Sequence, residues 1–459
     1  MPSPDVKRVY ASRVLLPAGW AANVAVTIDA AGLIESVTPE TEQLPGDDVA
    51  VGPVVPAMPN LHSHAFQRAM AGLAEIAGPG DDSFWTWRGE MYRTALLLSP
   101  EDVAAIAAKL YVELLKGGFG AVAEFHYLHH DQDGAPYGNR AELSRAVLAG
   151  AAEAGIGMTL LPVFYAHSNF GGAAPNEGQR RFINDVDGFL ELMAAARPAC
   201  EAHGASLGIA FRSLRAATPD EMRAILAARF DGPIHIHVAE QVKEVEDCIA
   251  STGRRPVAFL MEELPVDERW CLIHATHMEP GEIRSLAQSR AVAGLCPATE
   301  ANLGDGIFAA TDYFGLDGRA GIGTDSHIET GVAEELRTLE YGQRLRDQRR
   351  NRLAAGPGRS VGRTVFDTAL AGGTQALGQK LGAIAPGRVA SFAVLDDQEP
   401  FIGAASGDQI LDRWLFALGD RAVRDVMVAG RWRIRDRQHE RDGPIDAAFR
   451  QVLAKLSNA

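Results

Sequence analysis

Long apolar runs, an excess of basic charge and paired cysteines are all missing from this chain of 459 residues. No stretch reaches 18 uninterrupted apolar residues, so no membrane span is expected. Lys and Arg number 44 against 59 Asp and Glu, a formal net charge of -15. That balance argues against nucleic acid or an acidic membrane surface as the partner. It also means that an anionic ligand needs a locally basic pocket. Only four cysteines occur, at 200, 248, 271 and 296, and none forms a C-x-x-C pair. Neither a thiolate zinc site nor a disulfide scaffold is expected, and the thiols read as buried groups in a reducing compartment. The opening stretch Met1-Pro2-Ser3-Pro4-Asp5-Val6 lacks an apolar leader, so the expected location is the cytoplasm. Solenoid repeats and low-complexity tracts are also absent.

What is present is an ordinary globular composition, 47% hydrophobic and 22% charged, long enough for one large barrel and a smaller unit. Residues 7–55 carry β-branched stretches separated by Pro17-Ala18-Gly19 and Asp29-Ala30-Ala31-Gly32, which reads as a small antiparallel sheet. The tail returns to this character at residues 388–395 and 423–432, with a hairpin turn at Ala429-Gly430-Arg431. Between these ends, apolar segments of strand length alternate with Ala/Leu-rich stretches of helical period. Ser99-Pro100-Glu101-Asp102 starts one helix, with a cap, a proline and early acids, and Gly117-Gly118 stops it. Eight strands are expected: the apolar run from Val54, then residues 121–126, 158–164, 206–211, 234–239, 270–275, 292–296 and 319–324. This is the pattern of an α/β (β/α)8 barrel. The expected division is a small β-sandwich domain from 1–57 and 380–459, and a barrel from 58–379.

The chemistry gathers at the strand ends. The first run stops at Leu61-His62-Ser63-His64. Alternate residues of a strand share a face, so His62 and His64 present two imidazoles to one point. His237 closes Ile234-His235-Ile236-His237 and is followed three residues later by Glu240; His274 closes the strand from Trp270, and Asp325 follows the strand from Arg319. Singly, each has an ordinary alternative: a satisfied core histidine, or a helix cap for Asp325. His235 lies deeper in its strand and reads as structural. Together, at the C-terminal ends of four barrel strands, three imidazoles and a carboxylate suit one Zn2+ or another divalent first-row ion.

The order H-x-H, H-x-x-E, H, D resembles the amidohydrolase superfamily in its mononuclear deaminase branch, with no carbamylated-lysine signature. Residues 84–88 (F-W-T-W-R), 124–130 (E-F-H-Y-L-H-H), 176–184 (N-E-G-Q-R-R-F-I-N), 213–216 (S-L-R-A), 299–306 (T-E-A-N-L-G-D-G) and 344–347 (R-L-R-D) narrow the likeness. They are similar to the formimidoylglutamate deiminase family of histidine degradation. The resemblance implies a zinc-dependent hydrolase that converts N-formimino-L-glutamate to N-formyl-L-glutamate and ammonia, and it implies a homodimer. By matching position, His62, His64, His237 and Asp325 would hold the metal, with Glu240, His274 and Asp325 catalytic. Gln67, Arg88, Tyr127, Arg212 and Arg215 would contact the substrate. Arginine suits its two carboxylates, because the planar fork binds a carboxylate through two hydrogen bonds.

One position departs from the family pattern H-S-L-R-A: this chain reads Arg212-Ser213-Leu214-Arg215-Ala216. A short donor or acceptor is replaced by a long, permanently charged donor. Two alternatives follow. One is deamination of another acidic amidine, such as N-formimino-L-aspartate. The other is a catalytically silent barrel that serves as a binding module.

Overall fold

Two sheets organise the chain, and both chain ends feed the smaller one. The computed structural model describes residues 7–77 and 84–458. The first six residues, where no leader is expected, lie outside the described residues. The N-terminal strands are β1 (Lys7–Leu16), β2 (Gly19–Ile28), β3 (Ile34–Thr38), β4 (Asp48–Ala50) and β5 (Val54–Pro56). The barrel strands are β6 (Met58–Ser63), β7 (Phe119–His126), β8 (Gly157–Phe164), β9 (Ser206–Leu207), β10 (Ile209–Ser213), β11 (Ile234–Val238), β12 (Trp270–His274), β13 (Val292–Leu295) and β14 (Arg319–Ile322). The tail adds β15 (Phe392–Leu395), β16 (Val423–Val428), β17 (Arg431–Arg435) and β18 (Gln438–His439).

The small sheet runs β18-β17-β16-β15-β5-β1-β2-β3, with β4 beside β1. Strand β5 pairs with β1 on one side and with β15 on the other, so it joins the two chain ends. Val9, Val24 and Ile34 from the head share one apolar cluster with Phe392, Val394 and Met427 from the tail. The sheet thus folds over its own core. The hairpin between β16 and β17 turns on Ala429 and Gly430, with φ of 48° and 72°. Two successive left-handed residues give the turn whose twist matches the flanking strands.

The barrel strands are parallel and follow chain order, β6-β7-β8-β10-β11-β12-β13-β14, with β9 beside β8. All eight expected strands form, the one expected over 206–211 as two pieces, β9 and β10, interrupted at Gly208. The first is a correction: the run from Val54 is not one strand but two, broken at Ala57. The Ala57 N–H donates to Ser391 of the small-sheet side, and the next, Met58 N–H, donates to Gly118 of the barrel side. Successive amides therefore serve different sheets, and one straight strand cannot do both.

The ring closes between β6 and the end of β14. Thr324 N and Asp325 N donate to His62 O at 3.1 and 3.0 Å, and His64 N donates to Asp325 O at 3.2 Å. Glycine allows this approach: a Cβ on Gly323 would sit 2.6 Å from the His62 Cβ. Below the histidines, Leu61 fills the interior against Gly294 and Gly321, which leave room for its methyl groups. Leu61 is fully buried, so truncation to Ala costs about 2–5 kcal/mol. The helix Pro100–Lys116 starts as expected, with Ser99 and Asp102 capping each other's amides. Among the described residues no helix is long and apolar enough to cross a membrane.

One half-buried acid pair links barrel to tail. Asp420, just before β16, hydrogen-bonds Glu334 on the helix Val332–Asp347, and burial together with Glu334 pushes the Asp420 carboxyl well above its usual range. The folded chain then holds a proton that the unfolded chain releases. Stability falls as pH rises from the ordinary carboxyl range upward. Asp420→Asn is expected to flatten the decline of Tm between about pH 5 and pH 9. An unchanged slope in thermal melts would count against the shared proton.

Candidate metal centre and active site

The closing hydrogen bonds bring β6 and the end of β14 together, and β11 supplies the third side. Nε2 of His62 lies 3.0 Å from Nε2 of His237 and 3.4 Å from Asp325 Oδ1. Nε2 of His64 lies 3.3 Å from the same oxygen. One ligand atom from each of the four lies within 4.8 Å of the other three, and all four side chains are buried.

These residues fit a cation for a specific reason. Nδ1 of His64 sits 2.9 Å from the Phe125 carbonyl, and Nδ1 of His237 sits 2.9 Å from the Arg212 carbonyl. The His64 Nδ1–H donates to its carbonyl, so its Nε2 presents a lone pair inward. The Nε2 atoms of His62 and His237 and the Asp325 carboxylate face the same point. Burial, with neighbouring positive groups, holds His62, His64 and His237 well below the usual imidazole range. They stay neutral, which is the form that binds metal.

His274 occupies the fourth side. Its Nε2 is 3.8 Å from both Glu240 Oε1 and Asp325 Oδ2, and its Nδ1 is 3.3 Å from Glu300 Oε1. Burial disfavours its charged form, but the carboxylates of Glu240, Glu300 and Asp325 outweigh that and push it up to about 10. Nε2 of His274 and Oε2 of Glu240 are buried without a hydrogen-bond partner. Two unsatisfied polar atoms on facing side chains are what a site shaped for a third molecule contains. The backbone here is strained: Ala239, His274 and Asp325 all lie in the left-handed region, at φ of 52°, 68° and 47°. Each costs of order 1 kcal/mol.

Beside this set lies a group of basic side chains. Arg88, from the helix Phe84–Leu97, donates to Tyr92 and Tyr165 hydroxyls at 2.5 and 3.0 Å. Arg212 and Arg215 are buried at the end of β10. Burial, and then the nearby Arg212 and Arg88, hold the Arg215 guanidinium below its usual range. Three guanidiniums therefore share one electrostatic neighbourhood. Arg212 Nη1 reaches His237 Nδ1 at 3.0 Å, and its guanidinium lies over the Tyr127 ring at 5.7 Å. Gln67 donates to the Tyr127 hydroxyl at 2.7 Å, and the Tyr127 ring stands 4.9 Å from that of His64. The side chains expected at the site from the sequence thus lie in one neighbourhood, linked by these contacts. His235 does not: it bonds the Ala376 carbonyl at 2.9 Å, as a core histidine should.

The sequence model of the Amidohydrolase family matches residues 54–433, and the N-terminal domain of formimidoylglutamate deiminase HutF matches residues 6–50. The chain belongs to the amidohydrolase family. A formimidoylglutamate deiminase from Pseudomonas aeruginosa is 56% identical over 98% of this chain and 99% of its own. A crystal structure of an amidohydrolase from Brucella melitensis is 50% identical, with a TM-score of 0.94 over 98% of this chain and all of that one. An adenosine deaminase from Xanthomonas campestris with bound zinc shares the fold at 21% identity and a TM-score of 0.81, covering 98% of each chain.

Several residues of this amidohydrolase's site escaped sequence reasoning. Glu300 is buried against His274 Nδ1 and accepts the Cys296 amide at 2.9 Å. Glu244 accepts the amides of Ala239 and Glu240, at 3.3 and 3.1 Å, and so fixes where Glu240 points. Glu124 accepts from Ser63 Oγ at 2.5 Å and from the Ala65 amide at 2.7 Å, gripping the backbone around His64. Burial raises its carboxyl to about 7 despite those donors. Glu124 and Glu300 lie in the motifs quoted above, but no spacing rule told a supporting carboxylate from a helix-surface one.

Proposed function

We propose that this amidohydrolase hydrolyses the amidine of N-formimino-L-glutamate, giving N-formyl-L-glutamate and ammonia as a step of histidine degradation. The observation that carries the reading is the juxtaposition of a buried metal-ligand set with three guanidiniums. A guanidinium receives a carboxylate through two charge-assisted hydrogen bonds, and a substrate with two carboxylates and an amidine matches both halves. The family relative at 56% identity acts under that name. The chain is a hydrolase of C–N bonds.

In this reading His62, His64, His237 and Asp325 hold one divalent ion, proposed to be zinc. The ion supplies Lewis-acid polarisation and a water acidic enough to ionise near neutral pH. The remaining work falls to side chains. Asp325, 3.8 Å from His274, accepts the proton of the attacking water, which His274 orients. Glu240, equally close to His274, delivers a proton to the imino nitrogen. The nitrogen must leave as ammonia, so an acid is needed at that position. Glu300 holds the far nitrogen of His274. Arg88 and Arg215 receive the carboxylates, with Gln67, Tyr127 and Arg212 as further contacts. We also propose that 1–57 with 380–459 forms one domain around the barrel of 58–379, and that the enzyme is a cytoplasmic homodimer.

The test is ammonia release from N-formimino-L-glutamate, set beside N-formimino-L-aspartate and N-formyl-L-glutamate. Release from formiminoglutamate alone is expected. Arg212 favours a second reading, an acidic amidine of different length, because it adds a third cation to the carboxylate wall. Release only from the aspartate compound would select that reading. No release from any, with metal bound, would overturn both. Arg88→Met and Arg215→Met are each expected to raise KM by ~10–100-fold with a smaller change in kcat, the scale of a charge-assisted bidentate contact. A KM unchanged in both variants would remove the arginines from substrate binding.

A further inference from the structure

The site holds a second convergence of metal donors. His274, Cys296 and Asp325 each offer one ligand atom, all within 4.8 Å of one another. His274 ends β12, Cys296 follows β13 and Asp325 follows β14, so three adjacent strands present them side by side. All three are buried. Asp325 faces both ways: Oδ1 lies 3.4 and 3.3 Å from the Nε2 atoms of His62 and His64, while Oδ2 lies 3.8 Å from that of His274. The His274 Nε2 is 1% exposed as a residue and has no hydrogen-bond partner. Glu240 and Glu300, at 3.8 and 3.3 Å from the His274 ring nitrogens, add negative charge around the set. An imidazole, a thiol and a carboxylate suit zinc or cadmium, and suit the hard ions magnesium and manganese poorly.

We propose that His274, Cys296 and Asp325 form a second, weaker metal site, which takes up zinc or a softer divalent ion in excess and silences the enzyme. Three protein ligands, one of them shared with the first set, account for the lower affinity. Binding exchanges the Cys296 S–H bond for an S–metal bond and the His274 N–H bond for an N–metal bond, and releases both protons to solvent; nothing is oxidised. His274 is then committed to the ion and lost to the reaction. This inhibitory consequence rests on the role proposed for His274 above, whereas the binding itself does not.

The experiment adds Cd2+ and, separately, Zn2+ to the enzyme carrying one equivalent of zinc. Bound metal is counted by equilibrium dialysis, the cadmium–thiolate charge-transfer absorption is recorded, and ammonia release is followed. The expected result is a second, weaker equivalent that brings the thiolate band and the loss of activity together. Cys296→Ser and Cys296→Ala should keep the first equivalent and the basal activity, lose the band, and raise the inhibitory zinc concentration by about tenfold or more. A band that persists in both variants, or no second equivalent, would overturn the site. A band at one extra equivalent with full activity would leave the site standing and overturn the role of His274. Should neither variant fold, Mn2+ on the wild-type enzyme decides: inhibition equal to that by Cd2+, without the band, would sink the proposal.

Discussion

Dialysis against a strong chelator is expected to lower ammonia release from formiminoglutamate by about a thousandfold or more, and one equivalent of Zn2+ to restore it. Several kcal/mol of barrier reduction is the usual contribution of such an ion, and each 1.36 kcal/mol is tenfold. The reason lies in the wall built by His62, His64, His237 and Asp325. Their inward atoms are three imidazole nitrogens and a carboxylate oxygen brought within 4.8 Å of one another, and the Phe125 carbonyl sets the tautomer of His64. His237→Ala should abolish restoration while leaving the fold intact, since the ring lies at the strand's end and bonds only its neighbourhood in the site. Melting temperature by differential scanning fluorimetry and metal content by atomic absorption test both halves. Full activity with less than a tenth of an equivalent of metal bound would refute the metal centre.

Glu240→Gln is expected to cut kcat by about 10²–10⁴-fold while KM for formiminoglutamate changes little. Glutamine keeps the shape and removes the ability to shuttle a proton. The fold should hold, because the amide keeps the packing and His274 retains the carboxylates of Glu300 and Asp325. A large fall in rate with a cooperative melt retained separates a chemical role from a structural one. A variant within tenfold of the wild-type kcat would show that another group carries the proton. Glu300 is the neighbour to replace next, since it sits on the opposite nitrogen of His274.

The metal ligands were legible in the chain because the barrel turns strand ends into a common address. His62 and His64 were readable from parity alone, and His237, His274 and Asp325 from their place just after apolar segments. Arg88 was readable from its motif, not from spacing. It reaches the site from the helix Phe84–Leu97, not from a strand end. The supporting carboxylates were not legible. Glu124, Glu244 and Glu300 differ from surface acids only in what they accept, and each accepts backbone amides that have no partner until the strands meet. The break at Ala57 was missed for the same reason. Apolar periodicity reports burial, and it does not report which of two sheets does the burying.

The amino-acid sequence by itself determined the eight-strand alternation and the placing of His62, His64, His237, Glu240, His274 and Asp325, the six residues proposed to carry the chemistry, at strand ends. These depend on local quantities: side-chain period, turn chemistry and residue type. Tertiary structure alone decided that Asp325 would meet His62 through the bonds that close the barrel, that Arg212 would stack on Tyr127 beside His237, and that Cys296 would come within ligand distance of His274. Each joins strands or loops far apart in the chain. Distances between such residues follow from the closure of the ring, which no window of sequence contains.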